Sequence, residues 1–157
     1  MKISINGVII KRLKPYEDTR GTLIECFRQD ELPNSLYPVM SYISLTHSNI
    51  ARGPHEHLRQ TDYFCFPGPA QFELYLWDNR RKSKTYGKKV RVKVGGKTPT
   101  VAIVPSGVVH AYKNISKHDG IVLNYPNKLY AGRSKRHKVD EIRYENNPEV
   151  KFAIQAR

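Results

Sequence analysis

Apolar and polar positions alternate in short runs along this chain, and Gly, Pro, Asn and Asp cut the runs every few residues. The clearest run is Gln71-Phe72-Glu73-Leu74-Tyr75-Leu76-Trp77. Successive side chains of a strand point to opposite sides, so Phe72, Leu74 and Leu76 share one face. Runs of the same kind cover 8–13, 21–27, 42–46, 61–66, 89–94, 101–104, 109–113 and 120–123, and Gly95-Gly96 marks a tight turn between two of them. Only 29–36 has the character of a helix start, and Pro33 with Asn34 keeps it short. Many short strands with no βαβ alternation predict an all-β protein, a sandwich or jelly roll in which two sheets protect each other's faces and edges.

Length and composition narrow this picture. The 157 residues fit one domain, 1–157, large enough to bury a core. The expected loose segment is a polar, basic tail from about Ala131 onward. No apolar stretch approaches the ~18 residues of a membrane span. The Met1-Lys2-Ile3-Ser4-Ile5 start lacks the long apolar region of a signal peptide, so the expectation is a cytoplasmic protein with no membrane partner. Cys26 and Cys65 sit in apolar strand-like runs, where reduced thiols act as small buried hydrophobes. A disulfide between them is possible but unnecessary.

Charge matters less than its size suggests. The chain carries 27 basic and 14 acidic residues, a net +13, much of it in runs at 80–84, 88–93 and 133–138. Such runs read first as solvated faces. No helix-turn-helix, zinc-finger or RNP-like pattern accompanies them, so no nucleic-acid partner is expected.

The candidate chemistry lies in three stretches: Asp18-Thr19-Arg20-Gly21, Arg52-Gly53-Pro54-His55-Glu56-His57, and Pro105-Ser106-Gly107-Val108-Val109-His110-Ala111-Tyr112-Lys113-Asn114. On a strand His55 and His57 point together while Glu56 points away. If they face inward, a small barrel acquires a basic, histidine-lined mouth.

These stretches, together with Leu23-Ile24-Glu25-Cys26-Phe27, Asp78-Asn79-Arg80, Ser83-Lys84-Thr85-Tyr86-Gly87, Tyr130 and Glu141-Ile142-Arg143-Tyr144, come in an order that resembles the dTDP-4-dehydrorhamnose 3,5-epimerase family over about 16–150. The resemblance implies a cupin-type jelly roll, usually a homodimer, acting on a dTDP-4-keto-6-deoxy sugar at C3 and C5 without a cofactor. In such chemistry a base removes a proton next to the ketone, the electrons move onto the C4 oxygen, and an acid returns a proton to the opposite face. Cationic or hydrogen-bonding groups hold the enolate oxygen.

Carried over residue by residue, the resemblance makes His55 the base, with Arg52 beside it and His110 in the Pro-x-Gly-x-x-His segment. Arg20 and Glu25 match positions that hold the nucleotide and its diphosphate, reaching across from the dimer partner. Imidazole suits a base working near neutral pH. Where the family has Gln-Gly-Lys, this chain has Gln60-Thr61-Asp62, so the enolate-holding cation is missing. Asn124 stands where the family has its tyrosine acid, leaving Tyr130 or Tyr125 as donors. The family's late aspartate has no counterpart, which leaves Asp78 or Asp62 to orient His55. Gln60 and Asn124 complete the expected substrate-binding set. Tyr112, Tyr130 or Trp77 would flank the thymine, with core packing the favoured role for Trp77.

The same residues support a second reading. Pro105-x-Gly107-x-x-His110-x-x-x-Asn114 looks like the second motif of metal-binding cupins, and His55-x-His57 followed by Asp62 looks like a shortened first motif. His55, His57, His110 and either Asp62 or Gln60 would then hold Fe, Mn, Ni or Zn. A binder of sugar nucleotides without catalysis is the third.

Overall fold

The computed structural model describes residues 3–145, 147 and 151–154. Its strands are β1 (Ile9–Arg12), β2 (Pro15–Asp18), β3 (Gly21–Ile24), β4 (Tyr42–Thr46), β5 (Ala51–Glu56), β6 (Asp62–Phe66), β7 (Gln71–Asp78), β8 (Lys89–Gly95), β9 (Thr100–Val104), β10 (Val108–Asn114), β11 (Gly120–Asn124) and β12 (Ile142–Arg143). They form two five-stranded antiparallel sheets, ordered β1-β9-β6-β11-β4 and β12-β5-β10-β7-β8, with β2 and β3 as a separate hairpin. This is the expected jelly roll. The segment at 29–36 forms two single 3₁₀ turns, Gln29–Glu31 and Asn34–Leu36, on either side of Pro33.

The period-2 pattern decides where the core sits. Phe64 and Phe66 of β6, Phe72, Leu74 and Leu76 of β7, Val108 and Tyr112 of β10 and Val122 of β11 pack into one cluster between the sheets. Burying one such leucine or phenylalanine fully is worth about 1.5–3 kcal/mol. The intervening residues face away and are covered separately. Tyr63 and Cys65 lie under Phe27, Leu32, Leu36 and Tyr125. Tyr75, Trp77, Val109 and Ala111 lie under Tyr144, Phe152 and Ile154. Strands buried on both sides read as near-continuous apolar runs, as 62–66 does. Cys26 and Cys65 are free thiols, and burial raises the Cys65 thiol above its ordinary value.

Three glycines fix the geometry. Gly95 and Gly96 turn β8 into β9 with φ of 73° and 66°, and a Cβ on Gly95 would stand 2.7 Å from the Ala70 carbonyl oxygen. Gly53, at φ 85°, lets β5 approach β10, since a Cβ there would meet the His110 carbonyl oxygen at 2.6 Å. That approach pairs His55 directly with His110 across the sheet.

The segment expected to be loose from Ala131 is instead built into the protein through residue 145. β12 pairs with β5, placing Ile142 opposite Glu56 and Arg143 opposite His55. The Asp140 carboxylate accepts the backbone N–H groups of Leu58, Arg59 and Gln60 at 3.0, 2.9 and 3.0 Å. Three amides on one carboxylate fasten the segment to the turn between β5 and β6. Burial would raise the Asp140 carboxyl, but these amides outweigh it and hold it below the ordinary range. No helix among the described residues is long and apolar enough to cross a membrane.

Candidate active site

A cavity of about 360 Å³ opens at one end of the roll, and its walls come from both sheets and from the segment around β12. His55, His57, Arg52, Gln60, His110 and Tyr130 all line it, as the sequence leads one to expect, and so does Asp62. The reason is parity. Asp62 continues the inward series of Phe64 and Phe66, and His110 lies between inward Val108 and Tyr112. The side chains that fill the core become polar at this end and line an opening. Glu56 points the other way, as expected, and accepts hydrogen bonds from Asn79 at 2.8 Å and the Tyr144 hydroxyl at 2.6 Å.

His55 is flanked by two carboxylates. Its Nε2 lies 2.7 Å from Glu145 Oε1 and its Nδ1 3.4 Å from Glu141 Oε1. Burial would raise the Glu145 carboxyl, yet its own backbone N–H and His55 together bring it below its ordinary value. Glu141 lines the cavity and is tied by Arg143 at 2.6 Å.

Deeper in, His57 Nε2 and His110 Nε2 lie 3.2 and 3.4 Å from Asp62 Oδ2. Asp62 Oδ1 accepts the side-chain amides of Gln60 and Asn124, each at 2.8 Å. Burial disfavours charge on all three, but the groups act on one another. His57 is raised to about 9 because the Asp62 carboxylate outweighs its desolvation. Asp62 is held at about 2 by the two histidines and Asn124, against an opposing burial. His110, the most enclosed imidazole, is lowered by burial in spite of Asp62. The cluster therefore concentrates negative charge at one buried oxygen and draws positive charge towards it.

Several expected assignments are not met by this geometry. Asp78 does not line the cavity and makes no contact with His55. Its carboxylate is taken up by Arg80 at 2.7 and 2.9 Å, Ser83 at 2.6 Å and Thr85 at 2.5 Å. Asp62 likewise serves His57 and His110 rather than His55. Asn124 is buried behind the wall, its amide nitrogen shared between Asp62 and the Tyr42 hydroxyl, and it does not reach the cavity. Tyr125 stacks on Phe27 outside the roll, and Trp77 packs against Phe152. Arg20 and Glu25 lie away from this chain's cavity: Arg20 sits on the exposed β2–β3 hairpin paired with Asp18, and Glu25 pairs with Arg28.

Other functional groups were not expected at all. Glu141, Glu145 and Asp140 come from the segment that composition marks as solvated. Tyr42 lines the wall, and burial raises its hydroxyl above the ordinary phenol value. The only advance signal for the carboxylates was Glu141-Ile142-Arg143-Tyr144, noticed as part of a resemblance without a role.

Comparison with known proteins identifies the fold and the family. The model of the family described as dTDP-4-dehydrorhamnose 3,5-epimerase matches residues 2–147. A relative named "Probable low-salt glycan biosynthesis epimerase Agl13", from Haloferax volcanii, is 32% identical over 128 residues, covering 81% of each chain. Among solved structures, a dTDP sugar isomerase from Desulfovibrio desulfuricans superposes with a TM-score of 0.82 at 18% identity, over 95% of this chain and 91% of that one. The 3'-monoepimerase ChmJ from Streptomyces bikiniensis, in complex with dTDP-quinovose, gives 0.74 at 21% identity, over 90% and 71%. These neighbours share the cupin-type jelly roll. With the family match running over nearly the whole sequence and a relative above 30% identity, the chain belongs to the dTDP-4-dehydrorhamnose 3,5-epimerase family.

Proposed function

We propose that this protein inverts carbon next to the C4 ketone of a dTDP-4-keto-6-deoxy sugar, with His55 as the base. The observation that carries the reading is the placement of His55: a cavity-lining imidazole whose Nε2 is held by Glu145 at 2.7 Å. A carboxylate only accepts, so Nε2 carries the hydrogen it gives to Glu145, and Nδ1 is the ring nitrogen left to take the substrate's proton. Glu145 thus does for this histidine what the sequence assigned to Asp78. The base takes the proton alpha to the ketone, the electrons pass to the C4 oxygen, and Tyr130 at the cavity mouth returns a proton from the other face. Arg52, held by Thr46 at 3.0 Å and the Leu45 carbonyl at 2.8 Å, offers a fixed guanidinium to the substrate's negative charge.

The test is isotope exchange. Deuterium from the solvent enters C3 or C5 of dTDP-4-keto-6-deoxyglucose in the presence of the wild type, and His55→Ala slows that exchange by about 10²–10⁴-fold. Exchange at the wild-type rate in the variant would remove His55 from the mechanism.

We also infer a homodimer. Arg20 and Glu25 contribute to a nucleotide site only by reaching a second copy, and the hairpin that carries Arg20 also exposes Leu23 and Tyr16. An isologous two-fold pairing supplies such an exchange. Light scattering that returns the monomer mass would take both residues out of the site. In this reading the protein works in the cytoplasm, supplying a dTDP-sugar of the rhamnose type to polysaccharide or glycan assembly, and nucleic acid and membranes have no part.

A further inference from the structure

The two oxygens of Asp62 are treated differently. Oδ1 receives two amide donors, whereas Oδ2 is buried and accepts no hydrogen bond. The imidazoles that flank Oδ2 are both anchored from behind. His57 Nδ1 meets the backbone carbonyl of Asp140, and His110 Nδ1 lies 3.1 Å from that of Val108. Carbonyls only accept, so each Nδ1 carries a hydrogen, and each Nε2 is the ring atom turned towards Asp62. The Gln60 amide nitrogen lies 3.3 Å from His57 Nε2. Three buried ligand atoms, His57 Nε2, Asp62 Oδ2 and His110 Nε2, therefore converge on one point, all within 4.8 Å of one another. A proton on His57 Nε2 serves one imidazole and leaves His110 Nε2 facing the carboxylate oxygen at 3.4 Å. A single cation between the three satisfies all of them.

We propose that His57, Asp62 and His110 form a binding site for a first-row divalent transition metal ion such as Zn²⁺ or Fe²⁺. The spacing fits. Bonds of about 2.0–2.2 Å to nitrogen and carboxylate oxygen separate neighbouring ligands by about 3.0–3.5 Å, and the two histidine nitrogens stand 3.2 and 3.4 Å from Asp62 Oδ2. Two imidazoles and one carboxylate favour these ions over Mg²⁺ or Ca²⁺, which prefer oxygen ligands. The outer partners are those that metal sites use: a backbone carbonyl on the far nitrogen of each histidine, and amides on the second carboxylate oxygen. All three residues also line the cavity, so the remaining coordination positions open towards substrate. The ion would polarise the ketone and hold the oxygen that gains charge when His55 takes the proton, the task of the lysine that Asp62 replaces. This role rests on the epimerase reading; the binding of the ion does not.

Cobalt(II) tests the site directly, because imidazole and carboxylate ligation in a site with few ligands gives strong visible absorption. Chelator-treated wild type titrated with Co²⁺ is expected to develop that absorption to one equivalent per chain and to lose it on adding excess Zn²⁺. Asp62→Asn, verified as folded by circular dichroism, loses it. His55→Ala keeps the cobalt spectrum while losing isotope exchange, which separates the metal site from the base. Folded wild type that shows no stoichiometric cobalt spectrum would overturn the proposal, and full exchange activity in that same metal-free protein would leave the epimerase reading intact. An unchanged spectrum in Asp62→Asn would overturn the ligand set.

Discussion

Asp62 and Asp78 stand at strand ends, Asp62 opening β6 and Asp78 closing β7, and both are almost fully buried. Burying a carboxylate is costly unless partners compensate for the lost water. For Asp78 the compensation is complete: a guanidinium fork from Arg80 and two hydroxyls occupy both oxygens. For Asp62 it stops halfway, with two amides on one oxygen and two imidazole nitrogens near the other without a well-formed hydrogen bond. The first arrangement closes a loop. The second leaves a buried negative charge directed into an open cavity, which folding alone does not require. The number of satisfied lone pairs, rather than burial or charge, separates a carboxylate that holds structure from one available for chemistry.

Asp78→Asn sharpens this contrast with the largest expected effect. An amide nitrogen in place of Oδ2 cannot accept from Ser83 or Thr85 and would face the Arg80 guanidinium. The loss is about 1.5–3 kcal/mol, the range for hydrogen bonds to charged groups. Denaturant unfolding measures it, and isotope exchange per folded molecule stays at the wild-type rate. The sign with pH also follows. Burial would raise the Asp78 carboxyl, but Arg80, Ser83 and Thr85 hold it far below the ordinary range. A carboxyl lowered in the folded state stabilises the protein above its unfolded pKa of about 3.9, and that contribution fades as the pH falls towards the folded value. Wild type and variant should therefore differ fully at pH 7 and converge in acid. A gap that stays constant down to acid pH would show that the contribution does not come from the charge of Asp78.

How much of this was legible follows from what alternation can carry. It correctly placed Phe72, Leu74 and Leu76 together, and it put His55 and His57 on one side with Glu56 on the other. It carries the face of a strand but not the height along it. Asp78 has the inward parity of Leu76, yet it lies where the strand ends and bends into its own loop, so the expectation that it would orient His55 failed on position. The partners that do meet the histidines lie far off in sequence. Glu145 bonds His55 across 90 residues, and Asp140 bonds Leu58 across 82. Their segment includes the run Arg133-Ser134-Lys135-Arg136-His137-Lys138, whose composition describes a solvated tail and hides acidic anchors that act singly. For Asp62 the orienting expectation failed in the same way, since its free oxygen meets His57 and His110 rather than His55.

Asp62→Asn carries the smallest expected stability change and puts the comparison at most risk. Its carbonyl oxygen keeps the amides of Gln60 and Asn124, so those two hydrogen bonds survive. Its NH₂ group takes the place of Oδ2 and donates to His110 Nε2, an interaction the carboxylate cannot make. The attraction between the carboxylate and His57 is lost at the same step. In chelator-treated protein the loss of unfolding free energy should be about 1 kcal/mol, the net worth of one ordinary hydrogen bond, and smaller than that of Asp78→Asn. Chemical denaturation of the two proteins side by side measures it. A loss as large as that of Asp78→Asn would mean that Asp62 is bound into the fold as tightly as its counterpart, and the bare oxygen would no longer distinguish a working carboxylate from a structural one.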